Sequence, residues 1–255
     1  MGEEVATKRK QFAAVLAVAG LTVAGCGGNA PERAAPKPHP RQCRVGAVRP
    51  LESESRAYAA VVRMRARAYR RPAGEPIARF LHFNVNGVPT VLSVRAAVLR
   101  RNCRAAWYRV QLPVKPNGVI GYVRARDVRV APVRTRIAVD LSQRRLTYYR
   151  DGRPLLRLRV GIGSEATPTP VGRFYVNQSF RYDPRGPYGP AAIGISAYST
   201  VLTSWVQGGP VAIHGTNRPW TIGRAASNGC IHVPNPAARK LFRITPAGTP
   251  VVITA

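Results

Sequence analysis

Residues 211–233 read VAIHGTNRPWTIGRAASNGCIHV, and the two ends of this stretch set the expectation for the whole chain. Val211–His214 and Cys230–Val233 are short apolar runs, so they predict two buried strands joined by a crossing rich in Gly, Pro and polar residues. The crossing brings His214 and Cys230 together. Cysteine attacks as its thiolate and needs a base or a positive field close by, a part most often played by histidine. Each of the two flanks a turn of small residues, His214-Gly215-Thr216 and Ser227-Asn228-Gly229-Cys230. Gly229 suits a tight turn that aims backbone amides outward, as an oxyanion site requires. Thioester chemistry on an amide is the leading expectation.

Taken singly, a Cys is often a small buried hydrophobe and a His a satisfied polar group. Order and spacing carry more. His-Gly-Thr followed by Ser-Asn-Gly-Cys-Ile resembles the signature of the YkuD-type L,D-transpeptidases, bacterial enzymes that cross-link peptidoglycan stems, and the likeness runs from about Arg134 to the C-terminus. The resemblance implies Cys230 as nucleophile and His214 as proton donor and acceptor. It implies oxyanion and positioning parts for Gly229, Ser227, Gly215 and Thr216, and substrate contacts from Asn228, His232, Tyr198 and Ser196. It implies no cofactor, and acylation of Cys230 by carbapenems. This sequence departs from the family pattern at Asn228, where His is usual, and at His232, where Arg is usual. Arginine carries a permanent charge and a fixed fork of donors, whereas histidine is largely neutral at pH 7.

The chain has 255 residues with 40 Lys+Arg against 11 Asp+Glu, a formal charge of +29. Such a balance calls for an anionic partner: nucleic acid, an acidic lipid surface or wall polymers. The arginines are spread from Arg9 to Arg243, with no zinc finger, continuous basic helix or RNA-binding aromatic motif, which argues against nucleic acid.

Lys8-Arg9-Lys10 precede an apolar run, Phe12 to Ala24, too short to span a bilayer comfortably and ending in Val23-Ala24-Gly25-Cys26. These are the parts of a secretory signal, residues 1–25. The small residues before Cys26 resemble the bacterial lipoprotein box, which implies a lipid on that sulfur and a membrane-anchored protein facing the wall. Residues 26–40, rich in Pro and Ala, read as a tether. In an exported protein the two remaining cysteines, Cys43 and Cys103, are candidates to pair.

Residues 41–133 read as short strands between turns: Ala60–Met64, Ile77–Phe83, Thr90–Val94, Trp107–Leu112 and Ile120–Val123. Trp107-Tyr108-Arg109-Val110, Pro116-Asn117-Gly118 and Gly121-Tyr122-Val123 are similar to the closing hairpin of bacterial SH3-like domains. That resemblance implies a small β domain that binds wall polymer or packs on the catalytic region.

From residue 134 to 255 the pattern is again mainly β. Ile137, Val139 and Leu141 alternate with polar or small residues, as in a half-buried strand. A hairpin follows through Asp151-Gly152, then strands at Gly172–Val176 and Pro250–Thr254, with a helix capped by Asn235 and running to about Phe242. The family likeness makes this a YkuD-like β-sandwich with one clear helix. Tyr182 to Ser199, dense in Gly, Pro and Tyr, reads as a long exposed loop that could wall a peptide cleft; the family resemblance implies that this segment lines the donor site, with Tyr188, Ile195, Ser196 and Tyr198 as candidate contacts. No Asp or Glu follows Asp183, which disfavours a paired-carboxylate glycosidase. Without a buried Asp, His214 is left to a backbone carbonyl or to the hydroxyls of Ser227 or Thr216 for orientation. Cys230, His232 and His214 are also conceivable zinc ligands, but the family likeness supports no metal. A thiol peptidase or amidase, and a wall-binding lipoprotein without turnover, are the alternatives to a transpeptidase.

Overall fold

The computed structural model describes residues 42–255. The expected signal sequence of residues 1–25, the expected lipid site at Cys26 and the expected tether of residues 26–40 lie outside them.

The first sheet is built from β1 (Val48–Pro50), β2 (Ala57–Val62), β3 (Arg65–Tyr69), β4 (Pro76–Leu81), β5 (Val91–Leu99), β6 (Ala105–Gln111), β7 (Ile120–Arg124) and β8 (Val128–Val133), in the order β4-β3-β7-β6-β5-β2-β8, with β1 paired to β5. Strand β5 is almost continuously apolar because both of its faces are covered. Leu92 and Val94 join a core with Val62, Val110, Leu112 and Val123, while Val91 joins a smaller cluster with Ala57, Ala59 and Val133. The sequence expectation is corrected at two places. The run expected at residues 60–64 stops at Val62, and the chain restarts as β3, whose Arg-Ala alternation buries only Ala66, Ala68 and Tyr69. Strand β8 is a further one that the pattern did not give; it lies at the sheet edge, where Pro132 is tolerated. Cys43 and Cys103 form a disulfide with their Cα atoms 5.0 Å apart.

The chain passes to the second sheet between Val133 and Thr135. That sheet comprises β9 (Thr135–Asp140), β10 (Arg145–Arg150), β11 (Arg153–Arg159), β13 (Gly172–Arg181), β14 (Ala191–Tyr198), β15 (Pro210–His214), β17 (Ile231–His232) and β18 (Pro250–Thr254); β12 (Ile162–Gly163) and β16 (Ala225–Ser227) form a small parallel pair beside it. The order is β11-β10-β9-β18-β13-β14-β15-β17, parallel at β9–β18 and β15–β17 and antiparallel elsewhere. The helix α1 (Asn235–Ile244) packs on β14 and β15 through buried Ala238 and Leu241. It is the one α-helix among the described residues, and the chain is mainly β as expected. Ile137, Leu146, Phe174, Ile193, Ile213 and Ile253 share its core.

Two expectations fail here. Residues 191–198 are the buried strand β14 rather than part of an exposed loop: Ala, Ile and Gly alternate there between the core and a cavity, and seven of its eight residues are buried. Asn235 does not cap the helix. It is the first helical residue, and its Oδ1 instead accepts a hydrogen bond from the Thr216 amide at 2.8 Å.

The two sheets are tied by polar contacts. The Tyr175 hydroxyl donates to the Val91 carbonyl at 3.0 Å, the Gln111 side chain donates to the Arg173 carbonyl at 2.8 Å, and Glu52 pairs with both Arg95 and Arg173. Asn117 makes two bonds to the Tyr198 backbone, donating at 2.8 Å and accepting at 2.9 Å.

Candidate active site

In the parallel pairing of β15 and β17, Ile213 stands opposite Ile231 and His214 opposite His232. Side chains alternate along a strand. Val211, Ile213, Ile231 and Val233 therefore go into the core, and Ala212, His214, Cys230 and His232 all line one open cavity of about 1050 Å3. Parity alone thus delivers the Cys and the His to the same place.

The turn before Cys230 is shaped by Gly229, whose φ of +101° lies where a side chain is strained. The Ser227 hydroxyl closes this turn: it donates to the Cys230 carbonyl at 2.5 Å and accepts from the Gly229 amide at 3.2 Å. Ser227 is itself held from behind, its carbonyl accepting from the Ser164 amide at 2.9 Å and the Thr167 hydroxyl at 3.0 Å. Ser164 and Thr167 thereby support the site. Of the two amides expected to face an oxyanion, that of Gly229 is already bonded to the Ser227 hydroxyl.

His214 is buried, and its Nδ1 lies 2.5 Å from the Gly215 carbonyl. A carbonyl only accepts, so the proton is on Nδ1 and Nε2 carries the lone pair. The orienting group is a backbone carbonyl, with Ser227 and Thr216 occupied elsewhere. At Gly215 a Cβ would meet the Asn235 Oδ1 at 2.3 Å, so a side chain there would displace the contact that fixes Thr216. The Tyr188 and His214 rings meet edge to face with centroids 5.0 Å apart, and the His232 ring centroid lies 4.8 Å from that of His214.

Electrostatics favour neutral forms throughout. Burial, then the neighbouring His232, push the His214 pKa down to about 4, against a raising contribution from the bond to Gly215. Burial raises the Cys230 thiol, with the Ala212 backbone opposing. Burial and then the Arg218 guanidinium lower His232. Both shifts favour the uncharged thiol and imidazole.

Of the remaining expected residues, Asn228 and Thr216 line the cavity, Asn228 exposed and Thr216 buried. Ser196 and Tyr198 do not. The Ser196 hydroxyl is buried in β14 and accepts from the Tyr175 amide at 3.2 Å, and the Tyr198 hydroxyl donates to the Pro113 carbonyl of the first sheet at 2.8 Å. Both belong to the scaffold. Ile195 is core, whereas Tyr188 does line the cavity. Among the described residues no three His, Cys, Asp or Glu side chains stand where they could hold a metal ion.

Several lining residues escaped the sequence reading. Asn86 reaches in from the first sheet, donating to Gln178 at 3.0 Å and exchanging bonds with Gln207 at 2.8 and 3.2 Å. Arg218 and Thr221 come from the crossing between β15 and β16. An isolated Asn or Arg in a loop gives no pattern to detect.

Residues 134–253 match the family model YkuD, the L,D-transpeptidase catalytic domain. YkuD of Bacillus subtilis, named a candidate L,D-transpeptidase, is 37% identical over 117 residues, which are 46% of this chain and 64% of that protein; its Bacillus licheniformis namesake is 38% identical over 119 residues, 47% and 65%. The match thus spans a little under two thirds of these curated relatives. A crystal structure of a cysteine-to-serine mutant of Enterococcus faecium L,D-transpeptidase is 29% identical, covering 47% of this chain and 49% of that one, with a TM-score of 0.37.

Proposed function

We propose that the protein is an L,D-transpeptidase that forms 3-3 cross-links between peptidoglycan tetrapeptide stems through a Cys230 thioester. The observation that carries this reading is that His214 at the end of β15 and Cys230, immediately before its partner strand β17, line one cavity, with the His214 Nδ1 bonded to the Gly215 carbonyl so that Nε2 carries the lone pair.

With both groups neutral at rest, proton transfer accompanies attack. The Cys230 sulfur bonds to the carbonyl carbon of the third, diamino-acid residue while its proton passes to the His214 Nε2. The Cys230 amide faces the developing oxyanion. Collapse breaks the bond to D-alanine, whose amine leaves with the proton from His214. An amine of a neighbouring stem then attacks the thioester, giving its proton to His214, and the thiol is regained as the new amide forms. Each step balances with groups of the chain and substrate, and no cofactor takes part.

The disulfide fits an oxidising compartment. It supports export, with the N-terminal segment acting as lipoprotein signal and Cys26 as the anchored residue. The first sheet, an SH3-like region in this reading, packs on the catalytic region through Asn117, Gln111 and Tyr175. The high positive charge suits anionic wall polymers or the membrane surface.

His232 in the place of the family's arginine favours a second reading, a wall-binding protein without turnover. Product analysis separates the possibilities. Purified protein incubated with tetrapeptide-stem muropeptides is expected to release D-alanine and yield a cross-linked dimer. Release with only hydrolysed tripeptide would make it a peptidase, and no release would favour the binding role.

A further inference from the structure

The cavity holds a contrast with the rest of the molecule. In a chain of formal charge +29, Arg218 is the single Lys, Arg, Asp or Glu among the described residues that line it. The family's usual cation at position 232 is a histidine here. The hydrogen bonds fix what that histidine offers. The Thr221 hydroxyl spends its one proton on the Arg218 carbonyl at 2.7 Å, so it meets the His232 Nδ1 at 2.8 Å with a lone pair. The proton of that second bond is therefore on Nδ1, and the neutral ring keeps a lone pair at Nε2. A lone pair repels a carboxylate.

The same hydroxyl secures Arg218. Its carbonyl accepts from both the Thr221 hydroxyl and the Thr221 amide, at 2.7 and 3.0 Å, and its own amide donates to the Thr216 hydroxyl at 2.9 Å. The backbone is pinned at the rim, while the guanidinium is paired with none of the carboxylates among the described residues. No Asp or Glu follows position 183 in the chain to compete for it. Its field reaches His232, where it disfavours protonation.

We propose that Arg218 is the substrate-binding residue that anchors a carboxylate of the donor stem, in place of a guanidinium at position 232. This rests on the transpeptidase reading for the identity of the substrate. Thr221 is then a positioning residue that holds Arg218 and sets the tautomer of His232 with one hydroxyl. A guanidinium recognises a carboxylate through two parallel charge-assisted bonds, which a carboxamide cannot match.

The test compares donor stems carrying a free carboxyl or a carboxamide on the third residue. In Arg218→Gln the KM for the free acid should rise about tenfold or more, with kcat little changed and the carboxamide donor unaffected. Adding His232→Arg to that variant should recover much of the loss. Equal losses on both donors, or none on either, would overturn the assignment. Calorimetric binding of the two donors to Cys230→Ser, with and without Arg218→Gln, reads the same contact without turnover. If wild-type protein released no D-alanine yet binding lost its free-acid preference with Arg218, the activity would fall and this contact would stand. If turnover occurred but binding showed no such loss, the contact alone would fall.

Discussion

His214 and His232 face each other across the parallel pairing of β15 and β17, with ring centroids 4.8 Å apart. Each gives its Nδ1 proton to an oxygen, His214 to the Gly215 carbonyl and His232 to the Thr221 hydroxyl. Two imidazoles this close in a buried setting cannot both charge without cost, and burial alone already favours the neutral ring.

Stability should therefore depend on acid. The folded-state pKa of His214 is about 4 against an ordinary 6.5. Between these values the unfolded chain binds the extra proton, so stability is complete above about pH 6.5 and is lost as pH falls toward 4. The loss from this group is on the order of 3 kcal/mol, and His232 shifts in the same direction. Urea unfolding of wild type and His214→Gln across this window checks it: the variant should show a shallower decline, and parallel curves would contradict the account.

Cys230 should be a slow nucleophile toward small alkylating agents at neutral pH, because burial raises its thiol. Alkylation by iodoacetamide, followed by the mass of the Cys230 peptide, should accelerate with pH well beyond 8. A fast rate, flat from pH 6 to 9, would indicate a preformed thiolate.

Tyr188 shields one side of His214. Replacing it with Ala admits water to the imidazole, which lowers the cost of charging it. An NMR titration should find the His214 pKa moved up from about 4 toward 6.5. An unmoved value would mean that the other walls of the site supply the desolvation.

Asn117 holds the backbone of Tyr198 by two hydrogen bonds from the first sheet. Asn117→Ala leaves that amide and carbonyl without their partner, at a cost of about 1–3 kcal/mol. Thermal unfolding should record the drop, and an unchanged midpoint would show that solvent replaces the side chain freely.

Strand β15 and the short β17 that follows Cys230 were legible because their apolar residues alternate with functional ones, although β17 is only Ile231–His232 where Cys230–Val233 was expected, and the spacing of the two turns pointed to one family. The hairpin of β10 and β11 was legible from its Asp151-Gly152 turn, and β18 from its apolar run. Strand β14 was hidden because Gly and Pro just before Ala191 signal a loop, while Gly194 and Ser196 interrupt the apolar signal of its core residues Ile193, Ile195 and Ala197. Strand β3 was hidden by arginines that alternate with alanines. Ser196 and Tyr198 fell with β14: once those residues form a buried strand, one hydroxyl serves a backbone amide and the other reaches the first sheet. Arg218 was invisible as one arginine among many, since only the fold shows which of them lines the cavity.

The measurement closest to the central claim is the intact mass of the protein after exposure to a carbapenem, an acylating agent for the family that this sequence resembles. The account predicts one adduct, mapped to the peptide containing Cys230, absent in Cys230→Ser and formed far more slowly in His214→Ala. An unmodified wild-type mass, or an adduct on any other residue, would contradict it.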